Sequence, residues 1–269
     1  MHWKEATDNV LNRLVAKTRL GLISDVDGTL SPIVDQPDKA HVTARNLDLL
    51  AELSDDLALV ALISGRAAED LRQRVGLPGI IYVGNHGLER WVGGKTKYQA
   101  EALVFLPALQ AALKELQSIK SSGVFIEDKG ITISLHYRQS PAPEQFIKKN
   151  ESFLVEIATR YGLKLSSGRK VFEFKPPIQF DKGSAFRQLV DEAKLDGAIY
   201  LGDDTTDVTA LSAAKEMREE GICEAWGISV QSVEAPAEVE ATADLWALGV
   251  PDVEDFLDWL LNARRASST

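Results

Sequence analysis

Four short apolar runs recur along this chain, and each ends in a polar cluster. Leu20-Gly21-Leu22-Ile23 leads into Ser24-Asp25-Val26-Asp27-Gly28-Thr29, and Leu59-Val60-Ala61-Leu62-Ile63 into Ser64-Gly65-Arg66. Ile80-Ile81-Tyr82-Val83 leads into Gly84-Asn85-His86-Gly87, and Ala198-Ile199-Tyr200-Leu201 into Gly202-Asp203-Asp204-Thr205-Thr206-Asp207. Such runs are too short for helices and apolar throughout, as strands buried on both faces must be. Segments with helical spacing lie around them, among them residues 3–17 and 43–53. The alternation predicts an α/β fold with a parallel sheet wrapped on both faces, whose polar clusters share the edge at the strands' carboxyl ends.

The first cluster is the densest. Residues i and i+2 of a strand point the same way, so Asp25 and Asp27 converge where the strand runs out, and Gly28 lets the backbone turn beneath them. A calcium loop of the EF-hand kind needs Gly at its sixth position and Glu at its twelfth. Counted from Asp25 those positions hold Leu30 and Gln36, which excludes it. A solvated acidic turn remains as the plain alternative for this stretch read alone. Pro32 and Pro37 place a loop after it, and Thr43 is a candidate cap for the next helix.

Between residues 102 and 177 the rhythm changes. Gly123–Glu127 and Ile131–Tyr137 read as a hairpin turning near Lys129-Gly130, and Val171–Lys175 as a further strand, with helices over about 107–119 and 144–160. These strands alternate apolar and polar residues, as a sheet with one solvated face does. The segment reads as a smaller α/β lid, 103–177, inserted into a parent domain formed by 1–102 and 178–269. The last helix carries Val253, Phe256, Leu257, Leu260 and Leu261 on one stripe, with Asp252 as its expected cap.

Composition narrows the partners. Forty acidic side chains against 30 basic ones give a formal charge of -10, which disfavours nucleic acid and anionic membranes. Cys223 is the sole cysteine, so neither an internal disulfide nor a multi-cysteine metal site is available. Met1-His2-Trp3-Lys4-Glu5 shows no basic-then-apolar leader, and no apolar run approaches the about 20 residues of a membrane span. A cytoplasmic location is therefore expected. The oligomeric state stays open, with a monomer favoured.

Asp25-Val26-Asp27-Gly28-Thr29, Ser64-Gly65-Arg66, Lys182 and Gly202-Asp203-Asp204 through Asp207, in that order, resemble the haloacid dehalogenase (HAD) superfamily. The resemblance implies a HAD-like Rossmannoid core with an inserted cap, a nucleophilic aspartate, a phosphate-binding hydroxyl, a stabilising lysine and a Mg2+ site. Elementary chemistry agrees with those roles. A carboxylate can attack phosphorus to give an acyl phosphate that water then cleaves, which assigns the attack to Asp25. A second carboxyl beside it can protonate the leaving alkoxide and later activate water, which assigns acid–base work to Asp27. Ser64 and Lys182 would hold the phosphoryl group by hydrogen bond and charge. Asp25, the backbone carbonyl of Asp27 and Asp203 resemble the superfamily's magnesium ligands, with Asp204 and Asp207 orienting them. Taken singly these residues have plainer readings: a helix cap for Ser64, a surface lysine, an acidic N-cap at Asp203–Asp207.

The insertion falls after the third strand, unlike that of the superfamily's sugar phosphomutases. More narrowly, Asp25 through Asp35, Val83 through Glu89, Leu135-His136-Tyr137-Arg138, Phe172 through Pro176, Phe180-Asp181-Lys182-Gly183 and Gly202 through Asp207 resemble the trehalose-6-phosphate phosphatase family. That resemblance implies hydrolysis of trehalose 6-phosphate, with Glu127, Lys129 and Glu173 on the sugar hydroxyls and Arg66 and His86 at the rim. Exposed strand charges are also commonly just solvated, and His86 can equally be structural. Phosphatases of sucrose phosphate or a glycosyl-glycerate phosphate are the nearest alternatives, and a non-catalytic sugar-phosphate sensor a more distant one.

Overall fold

The computed structural model of the chain describes residues 1–34, 39–119, 121–168, 170–232 and 235–267. Asp35 to Pro37 of the loop after the first acid pair, and Ser268 and Thr269 of the tail, lie outside the described residues. Twelve strands are formed among the described residues. They are β1 (Leu20–Ser24), β2 (Leu59–Ile63), β3 (Ile81–Gly84), β4 (Glu89–Val92), β5 (Lys95–Tyr98), β6 (Phe125–Asp128), β7 (Ile133–His136), β8 (Lys164–Gly168), β9 (Val171–Lys175), β10 (Gly197–Gly202), β11 (Glu224–Gln231) and β12 (Leu245–Leu248).

Eight of them form one sheet in the order β12-β11-β10-β1-β2-β3-β4-β5. The six from β12 to β3 are parallel, and β4 turns back antiparallel to β3. Continuous apolar runs are explained by burial on both faces. Leu22, Val60, Leu62, Ile199 and Ile228 share one core with Leu50, Leu53, Phe256, Leu257 and Leu260. Ile23, Ala61, Ile63 and Tyr200 share the other with Phe186, Leu189, Leu211 and Met217. The hairpin β4–β5 was not expected from sequence, although Gly93 and Gly94 announce it: both adopt positive φ (60° and 84°), as a two-residue hairpin turn requires.

The chain divides into two compact units, Met1–Thr96 with Phe180–Thr269, and Lys97–Gln179. The second holds a four-stranded antiparallel sheet, β6-β7-β9-β8. Ile133, Leu135, Phe172 and Phe174 make its apolar face and are buried, as are Leu109 and Leu116 of the helix Leu106–Leu116 and Leu154 and Ile157 of the helix Pro143–Arg160.

Two local expectations are corrected. Residues 3–15 are helical throughout, but as a 3-10 turn, a π turn and a single α turn in succession. Trp3 is buried against Phe256, at 5.3 Å between ring centroids, so tertiary packing shapes this segment. Asp252 is not the residue that precedes the last helix, which already begins at Gly249. From the first turn its carboxylate accepts from Leu248 N at 2.8 Å and lies 2.8 Å from His2 Nε2, joining the helix start to the N-terminus.

Candidate active site

The site is built where β1, β2, β3 and β10 end. Asp25 follows β1 directly, and its N–H donates to Leu201 O of β10 at 2.8 Å. Its Oδ1 accepts from Lys182 Nζ at 2.8 Å, and the same ammonium donates to Asp207 Oδ1 at 2.7 Å. Lys182 opens the helix Lys182–Glu192, which is capped by Asp181 through a bond from Ser184 N. The lysine is 2 % exposed and is therefore no surface residue.

Asp207 has its acceptor positions filled. Besides Lys182, its Oδ1 takes a bond from Tyr200 OH at 2.5 Å, and its Oδ2 takes bonds from Asp203 N at 3.2 Å and Asp204 N at 3.0 Å. A carboxylate offers about four lone-pair sites, so Asp207 fixes the loop and the lysine. Asp204 completes a reciprocal capping box with it. The Tyr200 hydroxyl, whose pKa burial and the neighbouring Asp207 push well above its ordinary value, is a neutral donor here.

Asp25, Asp203 and Asp207 each offer an oxygen within 4.8 Å of the others, all three residues being buried. Three carboxylates thus face one ammonium. Burial drives the Asp25 pKa well above the usual carboxylate range, Lys182 draws it down, and Asp207 and Asp203 push it up again. Burial also opposes the charge on Lys182, yet Asp207 and Asp25 outweigh it and raise its pKa, so the ammonium is retained. The excess negative charge falls on the carboxylates. Gly28 makes their approach possible: a Cβ there would lie 2.2 Å from Asp203 Oδ2, and the residue has φ +92°. An all-oxygen, net-negative cluster of Asp25, Asp203 and Asp207 fits a hard divalent cation, which these carboxylates could hold.

Ser64 follows β2 directly and is buried; its Oγ accepts from Arg66 N at 3.2 Å. It caps no helix. The N-terminus of the following helix, Ala68–Val75, is served instead by Glu89, whose buried Oε1 accepts from Ala68 N at 2.6 Å. Arg66 forks onto Asp27, with Nε 2.7 Å from Oδ2 and Nη2 2.8 Å from Oδ1. Asn85 and His86 adopt left-handed φ of 49° and 56°, held by bonds from Asn85 N to Arg66 O and from His86 N to Ser64 O. The imidazole packs so closely on Gly65 that a Cβ there would meet it at 2.7 Å. Positive φ at two successive non-glycine residues is costly and marks a constrained loop.

In the second unit, Glu127 on β6 stands opposite Ser134 on β7, which stands opposite Glu173 on β9, so all three share one sheet face. Lys129 Nζ lies 3.6 Å from Glu173 Oε1, and Glu127 Oε2 lies 2.8 Å from His136 Nε2.

A family model, trehalose-phosphatase, matches residues 23–249, which take in every residue of both groups. The chain belongs to the trehalose-phosphatase family. Mycobacterium ulcerans (strain Agy99) trehalose-phosphate phosphatase is 39 % identical over 203 residues, 72 % of this chain and 51 % of that protein. The Mycobacterium tuberculosis (strain ATCC 25618 / H37Rv) trehalose-phosphate phosphatase is 33 % identical over 250 residues, 90 % of this chain and 61 % of that one. The chain thus spans about half to three-fifths of the length of these curated relatives. In fold it is similar to the C-terminal domain of C. albicans trehalose-6-phosphate phosphatase, with a TM-score of 0.75 at 22 % identity, covering 94 % of this chain and 96 % of that one. Among the described residues no helix is long and apolar enough to cross a membrane.

Three members of these constellations are not legible as such in the sequence. Tyr200 was legible only as a hydroxyl inside a wholly buried strand, which demands a partner. Glu89 falls within the Val83–Glu89 stretch, but its role depends on Ala68, 21 residues away. His136 belongs to the Leu135–Arg138 stretch, but its pairing with Glu127 depends on the hairpin register.

Proposed function

We propose that the chain hydrolyses trehalose 6-phosphate to trehalose and inorganic phosphate through a phosphoryl-aspartate at Asp25. The observation that carries this reading is the buried Asp25–Lys182–Asp207 chain with Asp203 beside it, at the ends of β1 and β10 in a trehalose-phosphatase fold. Lys182, which has no solvent to serve, orients the Asp25 carboxylate through Oδ1. An oxygen of Asp25 forms a bond to phosphorus while the ester P–O bond breaks, and Asp27 delivers its proton to the departing sugar oxygen. Water then attacks phosphorus, giving its proton to Asp27, and the bond to Asp25 breaks to release phosphate and the free carboxylate. Ser64 and Lys182 hold the phosphoryl oxygens, and Asp204 and Asp207 keep the acidic loop in register.

Asp25, the Asp27 carbonyl and Asp203 would hold Mg2+, which when bound supplies charge neutralisation for the incoming phosphate. The Lys182 ammonium itself offsets part of the repulsion between a phosphate dianion and the carboxylates. Glu127, Lys129 and Glu173 are assigned to the sugar hydroxyls, since carboxylates accept and an ammonium donates. Arg66, which forks onto Asp27, and His86 are assigned to substrate binding as well.

Phosphate release with Mg2+, compared across trehalose 6-phosphate, sucrose phosphate, a glycosyl-glycerate phosphate and glucose 6-phosphate, tests the reading. The highest kcat/KM on trehalose 6-phosphate, lost on chelation and restored by Mg2+, is expected. Equal or higher turnover of another sugar ester would overturn the substrate assignment, and full activity in chelator the metal assignment.

A further inference from the structure

On the polar face of the small sheet, beside the partly buried Val171, stands one aromatic side chain that charge recognition does not need. Phe125 on β6 and His136 on β7 are direct cross-strand partners, and their rings stack with centroids 4.4 Å apart and planes 11° from parallel. His136 is in turn 2.8 Å from Glu127 Oε2, so the imidazole plane is held from its edge. Phe125 nevertheless remains 45 % exposed. Strand periodicity puts it on the same side as Glu127, and the register puts Ser134 and Glu173 on that side as well. The ion pair of Lys129 with Glu173 borders the same face.

A phenyl ring at a solvated strand position forgoes much of the burial that makes phenylalanine stabilising, at about 25 cal/mol per Å2. Polar neighbours explain the charges but not the ring. A hexopyranose does explain the combination. It presents hydroxyls around its edge and a patch of polarised C–H bonds on one face. The negative face of an aromatic ring attracts such C–H groups, while carboxylates and an ammonium take the hydroxyls.

We propose that Phe125, stacked on His136, is the platform on which a hexose ring of the substrate lies, and that it makes the protein prefer sugar phosphates over small phosphate esters. This rests on the sugar-phosphatase reading above and adds an apolar determinant to its polar ones. The ring touches the sugar and takes no part in phosphoryl transfer, so its loss falls on KM for sugar esters.

The test compares wild type with Phe125→Ala, Phe125→Leu and Phe125→Tyr on trehalose 6-phosphate and on glycerol 3-phosphate, which has no ring to stack. Phe125→Ala should raise KM for trehalose 6-phosphate on the order of tenfold and leave the glycerol ester within about twofold. Phe125→Tyr should keep KM near wild type, whereas Phe125→Leu, apolar but without a π face, should lose most of the effect. The Tyr and Leu pair decides the matter should the Ala variant fold poorly. An unchanged KM for the sugar ester, equal losses on both esters, or a Leu variant equal to Tyr would overturn the platform. Should wild type prefer another hexose phosphate, the trehalose assignment falls and the same variants on that ester decide the platform. No preference for any hexose phosphate over glycerol 3-phosphate would overturn both.

Discussion

Arg66 holds both carboxylate oxygens of Asp27 at once, 2.7 Å from Nε to Oδ2 and 2.8 Å from Nη2 to Oδ1. The fork is anchored behind, where Nη1 lies 3.4 Å from Asp70 Oδ2. Asp27 is the group assigned to give and take the reaction's proton. To carry that proton it must release one of the two donors, so Arg66 sets both where the carboxyl points and how readily it turns. Arg66→Ala should lower kcat by roughly ten- to a hundredfold, a part of the 10²–10⁴ that a positioned acid–base group supplies. Arg66→Lys should recover little, because an ammonium cannot reproduce the planar fork. Steady-state kinetics on both variants checks this.

Gly28 supports a second prediction. A methyl group there would collide with the Asp203 carboxylate at 2.2 Å and would also need a left-handed backbone. Gly28→Ala should therefore displace Asp203 from Asp25 and cost on the order of a hundredfold in kcat/KM, the scale of a 1 Å misplacement. Gly76 is the control. It ends the helix Ala68–Val75 at φ +70°, with nothing near its would-be Cβ. Gly76→Ala should cost about 1–2 kcal/mol of stability from backbone strain and leave turnover unchanged.

Asp252 gives a pH-dependent stability. Burial pushes its pKa up, but bonds from Leu248 N, Lys4 and His2 outweigh this and hold it below the ordinary value. A depressed folded-state pKa means that the contribution is complete above the unfolded value of about 3.9 and is lost as pH falls through the lower folded value. Asp252→Ala should lower Tm by about 2–4 °C at pH 7, the equivalent of roughly 1 kcal/mol for a capping interaction in a chain of this size. The gap between variant and wild type should close as the pH drops below about 4. Thermal unfolding across that range shows whether it does.

Much of the parent fold was readable because its strands are buried on both faces and so appear as unbroken apolar runs. The same geometry puts Asp25, Ser64, His86 and Asp203 at strand ends, where a change from apolar to polar is conspicuous. What stayed hidden depends on partners distant in sequence. Glu89 caps a helix that begins 21 residues before it, and Arg66 meets Asp27 across 39 residues. The N-terminal segment departs from a plain α-helix because Trp3 must reach Phe256. Phe125 looked like any strand residue until the register set it against His136 and left it exposed.

The phosphoryl-aspartate is tested most directly by trapping it. Trehalose 6-phosphate labelled in its phosphoryl group is mixed with protein and Mg2+, quenched in acid within one turnover, and the labelled peptide is identified by mass spectrometry. Label on the peptide bearing Asp25, absent in an Asp25→Asn variant that remains folded and inactive, is the predicted result. Label on any other residue, or an Asp25→Asn protein that still turns over, would contradict it.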